Sequence, residues 1–273
     1  MTERTAKLAR LDGRALISVS GAGWRDFLQG LVTQDVSTLE GGGLRYGALL
    51  APQGRLLFEL FLHGRGEGVL IEVAADRRDD LLARLKLYRL RAKVELEAVE
   101  GGVFALWDGP GAPGWAPDPR LAELGFRAAG EAPPAPGAIS VDADAYDAHR
   151  LALGVYDELR DGGTDKLYPI ELNFDLLSGI DFKKGCFVGQ ETTSRMKRRA
   201  AVKSRAVPLK IDGAIPTTGA EVLAGQLRAG EVLSARPGLA LALMRLDRAA
   251  GAELRIDGRQ AVLAAPEWLT DSL

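Results

Sequence analysis

The chain has 273 residues, 47% apolar and 26% charged, with 35 Lys and Arg against 37 Asp and Glu. That balance excludes a disordered or fibrous protein and gives no global attraction to nucleic acid, while the length calls for two or three domains. One cysteine excludes an internal disulfide and fits a reducing compartment. With no apolar run of signal-peptide or membrane-helix length, the expectation is a soluble, cytoplasmic protein with no membrane partner.

In chain order, Ala15–Gly21 alternates as a strand, with Ala15, Ile17 and Val19 on one face. It leads through Gly21 and Gly23 into a helical pattern in which Trp24, Phe27, Leu28, Leu31 and Val32 form one buried stripe. Gly30 interrupts that stripe at a cost of about 1 kcal/mol relative to Ala, which implies that something approaches the backbone closely there. A compact unit follows: strand GRLLFELFL, turn HGRGEG, strand VLIEVA, a helix over 79–88, strand RLRAKVELE and strand VFALWD. Leu81, Leu82, Leu85 and Tyr88 are the apolar stripe of that helix. In RLRAKVELE, Leu90, Ala92, Val94 and Leu96 alternate with charged residues, leaving one face solvated or binding. The β-β-α-β-β order predicts an α+β sheet with ferredoxin-like character.

Two Pro/Gly-dense stretches, 109–119 and 132–137, mark surface loops or a boundary. DADAYDAHRLALGV reads as helix, and the residues to about 199 as short helices and loops. From Val202 onward, short strands punctuated by Gly and Pro predict a small antiparallel barrel.

The chemistry concentrates in FKKGCFVGQETTSRMKRR, residues 182–199. Cys186 stands between Gly185 and Gly189, beside Lys183 and Lys184, with a helix expected to start near Gly189. Flanking cations and a helix N-terminus favour a thiolate, provided the sulfur is accessible; a small buried hydrophobe is the alternative. His63 and His149 are the only histidines, so neither a catalytic triad nor a metal site made by this chain alone is expected. A cluster touching Cys186 would need its remaining ligands from a partner or a small thiol. Glu191 is either a solvated first-turn glutamate or a carboxylate that accepts paired hydrogen bonds from a pterin-like edge. Between Lys183 and Arg205 eight basic residues face one acid, which suits a solvated face or an anionic partner such as polyglutamate, phosphate or RNA. No aromatics are interleaved in Arg195–Arg205, which argues against direct nucleic-acid binding.

KGCFVGQE, residues 184–191, resembles the signature of the YgfZ-type folate-binding proteins, in the superfamily of the glycine-cleavage aminomethyltransferase. FLQGLVTQDVSTLEGG, GALLAPQGRLLFELFL, YRLRAKVEL and the segment 150–182 resemble further family segments in the same order, so the resemblance spans nearly the whole chain. It implies a three-domain, clover-leaf aminomethyltransferase-like α+β fold with the ferredoxin-like unit in the middle and the barrel at the end. The implied domains are 1–45 with 138–200, then 46–130, then 201–273. The resemblance further implies binding of tetrahydrofolate or a derivative, and a role with iron–sulfur client or assembly proteins through Cys186 and Lys184. Glu191, Gln190, Gly189, Arg195 and Glu59 would hold the folate. Where the transferases carry paired aspartates, this chain has Phe58 and Glu59, which argues against aminomethyl transfer and leaves enzymatic activity open. The alternatives are a folate-dependent one-carbon transferase, or a protein associated with tRNA modification.

Overall fold

The computed structural model describes residues 5–198 and 202–273. In chain order its elements begin with β1 (Lys7–Arg10), β2 (Arg14–Ser20), α1 (Trp24–Gln29), β3 (Leu44–Leu50), β4 (Leu56–Arg65), β5 (Gly68–Ala74), α2 (Arg78–Arg89) and β6 (Glu95–Val99). There follow β7 (Gly102–Trp107), β8 (Ala116–Pro117), β9 (Phe126–Gly130), β10 (Ile139–Val141), α3 (Ala143–Ala152), α4 (Glu158–Asp161) and α5 (Gln190–Arg198). The C-terminal region contains β11 (Ser204–Ile211), β12 (Glu221–Ala224), β13 (Leu227–Arg236), β14 (Leu239–Arg245), α6 (Leu246–Ala249), β15 (Leu254–Ile256), β16 (Arg259–Leu263) and α7 (Glu267–Thr270).

The strands form two five-stranded sheets and a closed barrel. One sheet runs β3-β4-β5-β2-β6 and is antiparallel throughout. Its strand β4 is buried at every residue from Leu56 to Gly64. A strand covered on both faces needs apolar residues at successive positions, which is what LLFELFL supplies apart from Glu59. The other sheet runs β10-β1-β7-β9-β8, with β1 parallel to β10 and antiparallel to β7. The barrel closes in the order β11-β14-β13-β12-β15-β16 around Val207, Leu209, Val222, Val232, Ala242 and Met244. The α+β architecture and the terminal antiparallel barrel therefore follow the expectation.

Three local expectations differ from the structure. VFALWD leaves the expected β-β-α-β-β unit: as β7 it pairs with β1 and β9, and β2 from the N-terminal segment takes the place between β5 and β6. Strand pairing thus runs across the border expected at residue 45. RLRAKVELE becomes a strand only from Glu95, because the chain first turns at Leu90 (φ +43°), with the Ala92 N–H donating to the Arg89 carbonyl. Close backbone approach occurs at Gly21 rather than Gly30. A Cβ at Gly21 would lie 2.7 Å from the Lys93 carbonyl oxygen, whereas Gly30 simply ends α1 with nothing nearer than 3.8 Å.

Candidate functional site

The segment 181–191 is braced from within. Asp181 Oδ1 accepts the backbone N–H groups of Lys183 and Lys184 at 2.7 and 3.2 Å, closing a tight turn. The Asp181 N–H donates to the Thr33 carbonyl, and the Thr33 hydroxyl donates to Gly179 O at 2.6 Å. The Lys184 ammonium donates to three backbone carbonyls, of Gln29, Val32 and Gln34, at 2.9, 2.7 and 2.8 Å. The first of these is the end of α1, so the cation also meets the negative pole of a helix. Burial lowers the Lys184 amine to about 8, against the pull of Asp35 and Asp181 in the other direction. All three ammonium protons are committed to carbonyl oxygens, so Lys184 ties the loop to 29–34 instead of standing beside the thiol as a free cation. Gly189 (φ +80°) is required sterically, since a Cβ there would lie 2.7 Å from Ala51 O.

On this frame Cys186 is exposed, as are Lys183, Glu191, Arg195 and Arg198. Helix α5 starts at Gln190, directly after Gly189 as expected, and the Gln190 side-chain oxygen accepts the Phe187 N–H at 3.3 Å. The basic run divides. Arg205 is buried against Asp175, which Lys197 also reaches at 3.3 Å. Arg199 lies outside the described residues.

Glu59 is placed elsewhere. It is fully buried, and its carboxylate accepts from Arg14 Nη2 at 2.8 Å, from Tyr46 OH at 3.0 Å and from the Glu158 N–H at 3.1 Å. Among the described residues no hydrogen bond or ion pair joins it to Gly189, Gln190, Glu191 or Arg195. Glu158 returns the contact, its Oε2 accepting the Glu59 N–H at 2.6 Å, so β4 and α4 each feed the other's carboxylate. Burial, helped by the Glu59 charge, pushes the Glu158 carboxyl up to about 7. Arg14 also grips Asp157 at 2.7 Å, and this outweighs burial to hold the Asp157 carboxyl well below the usual range. Beyond it, Glu72 binds Arg127 at 2.7 Å and His63 at 3.0 Å. Sequence reasoning passed over this buried ionic cluster. The available signal was a charge inside an apolar run, Glu59 in LLFELFL and Glu72 in VLIEVA, because a buried charge must be paired.

Among the described residues, cavities lie beside Arg14, Pro110, Trp24 and Asp161, and none of these is lined by Glu59, Lys184, Cys186, Gly189, Gln190, Glu191 or Arg195. One of about 280 Å³ separates the 161–167 segment from the barrel, with Asp161, Lys166, Thr218 and Glu231 on its walls. Among the described residues no group of three or more His, Cys, Asp or Glu could hold a metal ion, and no helix is long and apolar enough to cross a membrane.

Known proteins match this arrangement at three levels. Residues 203–271 match the family model of the CAF17 C-terminal beta-barrel domain. The aminomethyltransferase T of the glycine cleavage system from Bartonella henselae superposes with a TM-score of 0.76 over 97% of this chain and 86% of that one. At 19% identity, that likeness shows the fold. The iron-sulfur cluster assembly factor IBA57 of Homo sapiens, named as mitochondrial, is 32% identical over 300 residues, covering 95% of this chain and 84% of its own. The chain belongs to this YgfZ-type, IBA57 family. The resemblance carried by residues 184–191 is thereby borne out, together with the aminomethyltransferase-like fold. IBA57 homologues of Coccidioides immitis and Mycosarcoma maydis are 34% and 33% identical over 74% and 76% of this chain. The chain spans only 56% and 58% of those two relatives' lengths. The IBA57 relatives are named as mitochondrial, which overturns the expected cytoplasmic compartment. A lone cysteine indicates reducing surroundings, and that criterion does not separate the cytosol from the mitochondrial matrix.

Proposed function

We propose that this protein serves iron–sulfur cluster assembly by presenting the Cys186 thiolate to a cluster whose other ligands come from a partner. The observation that carries the reading is an exposed sulfur on a loop fixed by Lys184, Asp181 and Gly189, in a chain with no second cysteine. A rigid loop holds the sulfur in place at little ordering cost when the partner arrives. One thiolate cannot hold a cluster, so the sulfur acts as one ligand among several. The IBA57 names of the relatives support the assembly role.

Reduced folate, with or without a polyglutamate tail, is the second element of the proposal, and its fit is uneven. Glu191 has an exposed carboxylate at the first turn of α5, open to the paired donors of a pterin edge, with Gln190 and Gly189 preceding it and the exposed Arg195 available to the anionic tail. Glu59 does not fit, because Arg14, Tyr46 and Glu158 already occupy its oxygens. A one-carbon transferase would need a carboxyl free to reach the reacting nitrogen, and Glu59 offers none.

The test is complementation of cells lacking their own family member, read as the activity of iron–sulfur enzymes. Cys186→Ala should abolish rescue while the purified variant melts like the parent. Full rescue by Cys186→Ala would sink the cysteine role. Titration of tetrahydrofolate into the parent and Glu191→Ala tests the folate element separately.

A further inference from the structure

The glycine beside the thiol has no reason inside the chain. Among the described residues only Gly66 and Gly185 combine a φ outside the left-handed region with no atom within 4 Å of an added Cβ. Gly66 turns a hairpin between β4 and β5, where solvent is its neighbour. Gly185 lies in a loop held by Lys184 and Asp181 and adjoins the exposed Cys186, so a side chain there would project into open space next to the sulfur. Glycine at such a position costs conformational entropy on folding with no steric gain within the chain. Gly189, three residues on, shows the contrast, since both its φ and its packing demand glycine.

The charges around the loop are uneven as well. Lys197 Nζ sits 5.5 Å from the centre of the Phe182 ring, which brings the second turn of α5 to the start of the cysteine loop. Lys183 and Arg195 are exposed and their side chains have no acidic partner among the described residues. Arg198 is exposed too and, among the described residues, bonds only to the Ser194 carbonyl of its own helix. A single exposed acid, Glu191, stands among them. Exposed cations on the cysteine loop and on the helix that follows it attract an anionic guest and stabilise it on arrival.

We propose that Gly185 is kept bare as clearance for an anionic, thiolate-held iron–sulfur cluster reaching Cys186, with Lys183, Arg195 and Arg198 supplying its electrostatic rim. This rests on the reading of Cys186 as a cluster ligand. The step is ligand exchange without redox change. Cys186 releases its proton to solvent, its sulfur forms the new iron–sulfur bond, and one donor thiolate leaves and takes up a proton.

The experiment uses the full chain under anaerobic conditions with two donors, a glutathione-held [2Fe–2S] complex and a [2Fe–2S]-loaded monothiol glutaredoxin. Cluster held jointly by Cys186 and the thiolates the donor retains is read by visible circular dichroism, and variant folding by melting temperature. Gly185→Leu should melt like the parent and react normally with iodoacetamide, yet take up cluster about tenfold more slowly, a barrier change of about 1.4 kcal/mol. Gly66→Leu should take it up at the parental rate. Replacing Lys183, Arg195 and Arg198 by Gln should slow uptake several-fold at low salt and flatten its salt dependence. A Gly185→Leu defect with both donors assigns the clearance to the cluster itself, and a defect with the protein donor alone assigns it to the donor's surface. Parental uptake by Gly185→Leu from both donors overturns the clearance while leaving the Cys186 reading intact. Failure of the parent to take up cluster from either donor overturns both.

Discussion

Replacing Glu158 with Gln should stabilise the protein at alkaline pH and leave it nearly unchanged in mild acid. Glu158 is 6% exposed, and burial pushes its carboxyl from 4.5 to about 7, with the neighbouring Glu59 charge adding to the effect. An acid whose folded value is raised binds its proton more tightly in the native state. Between pH 4.5 and 7 the unfolded chain has lost a proton that the native chain keeps, so native stability falls as pH rises, by at most about 1.4 kcal/mol per unit. The full window corresponds to about 3 kcal/mol, with the loss levelling off once the native carboxyl also ionises. Glutamine retains a carbonyl oxygen for the Glu59 N–H and removes the charge. Urea unfolding of both proteins at pH 5 and pH 8 measures the difference. The midpoint of the parent should fall relative to Glu158→Gln as pH rises, and the gap should approach 3 kcal/mol at pH 8. Parallel behaviour at the two pH values would mean that Glu158 ionises normally and that its surroundings do not disfavour the charge.

Two further substitutions probe the frame. Arg14→Met strips Glu59 and Asp157 of their shared cation and should cost about 3–5 kcal/mol at neutral pH. The cost should shrink in strong acid, because the depressed Asp157 value stabilises the native state above the unfolded value of 3.8 and that contribution is lost as pH falls below it; urea midpoints at about pH 2.5 and pH 7 check the trend. Gly189→Ala should cost about 1–2 kcal/mol or more through its left-handed backbone and its collision with Ala51 O, visible as a lowered melting temperature.

Periodic segments were legible in the sequence wherever a single period described the environment. The stripe of α2 buries Leu81 and Leu85 on one face, as their spacing says; β2 was legible as a strand, although it buries Leu16 in one core and Ile17 and Val19 in the other. Pairing partners were not legible: VFALWD carries the same pattern whether it joins the sheet of β2 or that of β1, and only the course of the whole chain decides between them. At the site, Cys186, the start of α5 and the necessity of Gly189 could be anticipated from residue type and position. The role of Lys184 could not, because its partners are backbone carbonyls, which every residue carries and no sequence distinguishes. Glu59 misled for a related reason. Aligned position suggested a carboxylate facing a ligand, whereas Arg14, 45 residues away in the chain, closes over it.

The two sheets and the barrel differ in how soon each can close as the chain is made. Strand β1 waits for β7 and for β10 near residue 141, and β2 waits for β5 and β6. The barrel from Ser204 to Leu263 pairs only within itself. The longest loop must therefore be closed before β1 meets β10, which makes the sheet of β1 the slow part of folding and exposes its edges longest during synthesis. Chaperone dependence of this protein should accordingly map to its first 141 residues, and the barrel should need little help.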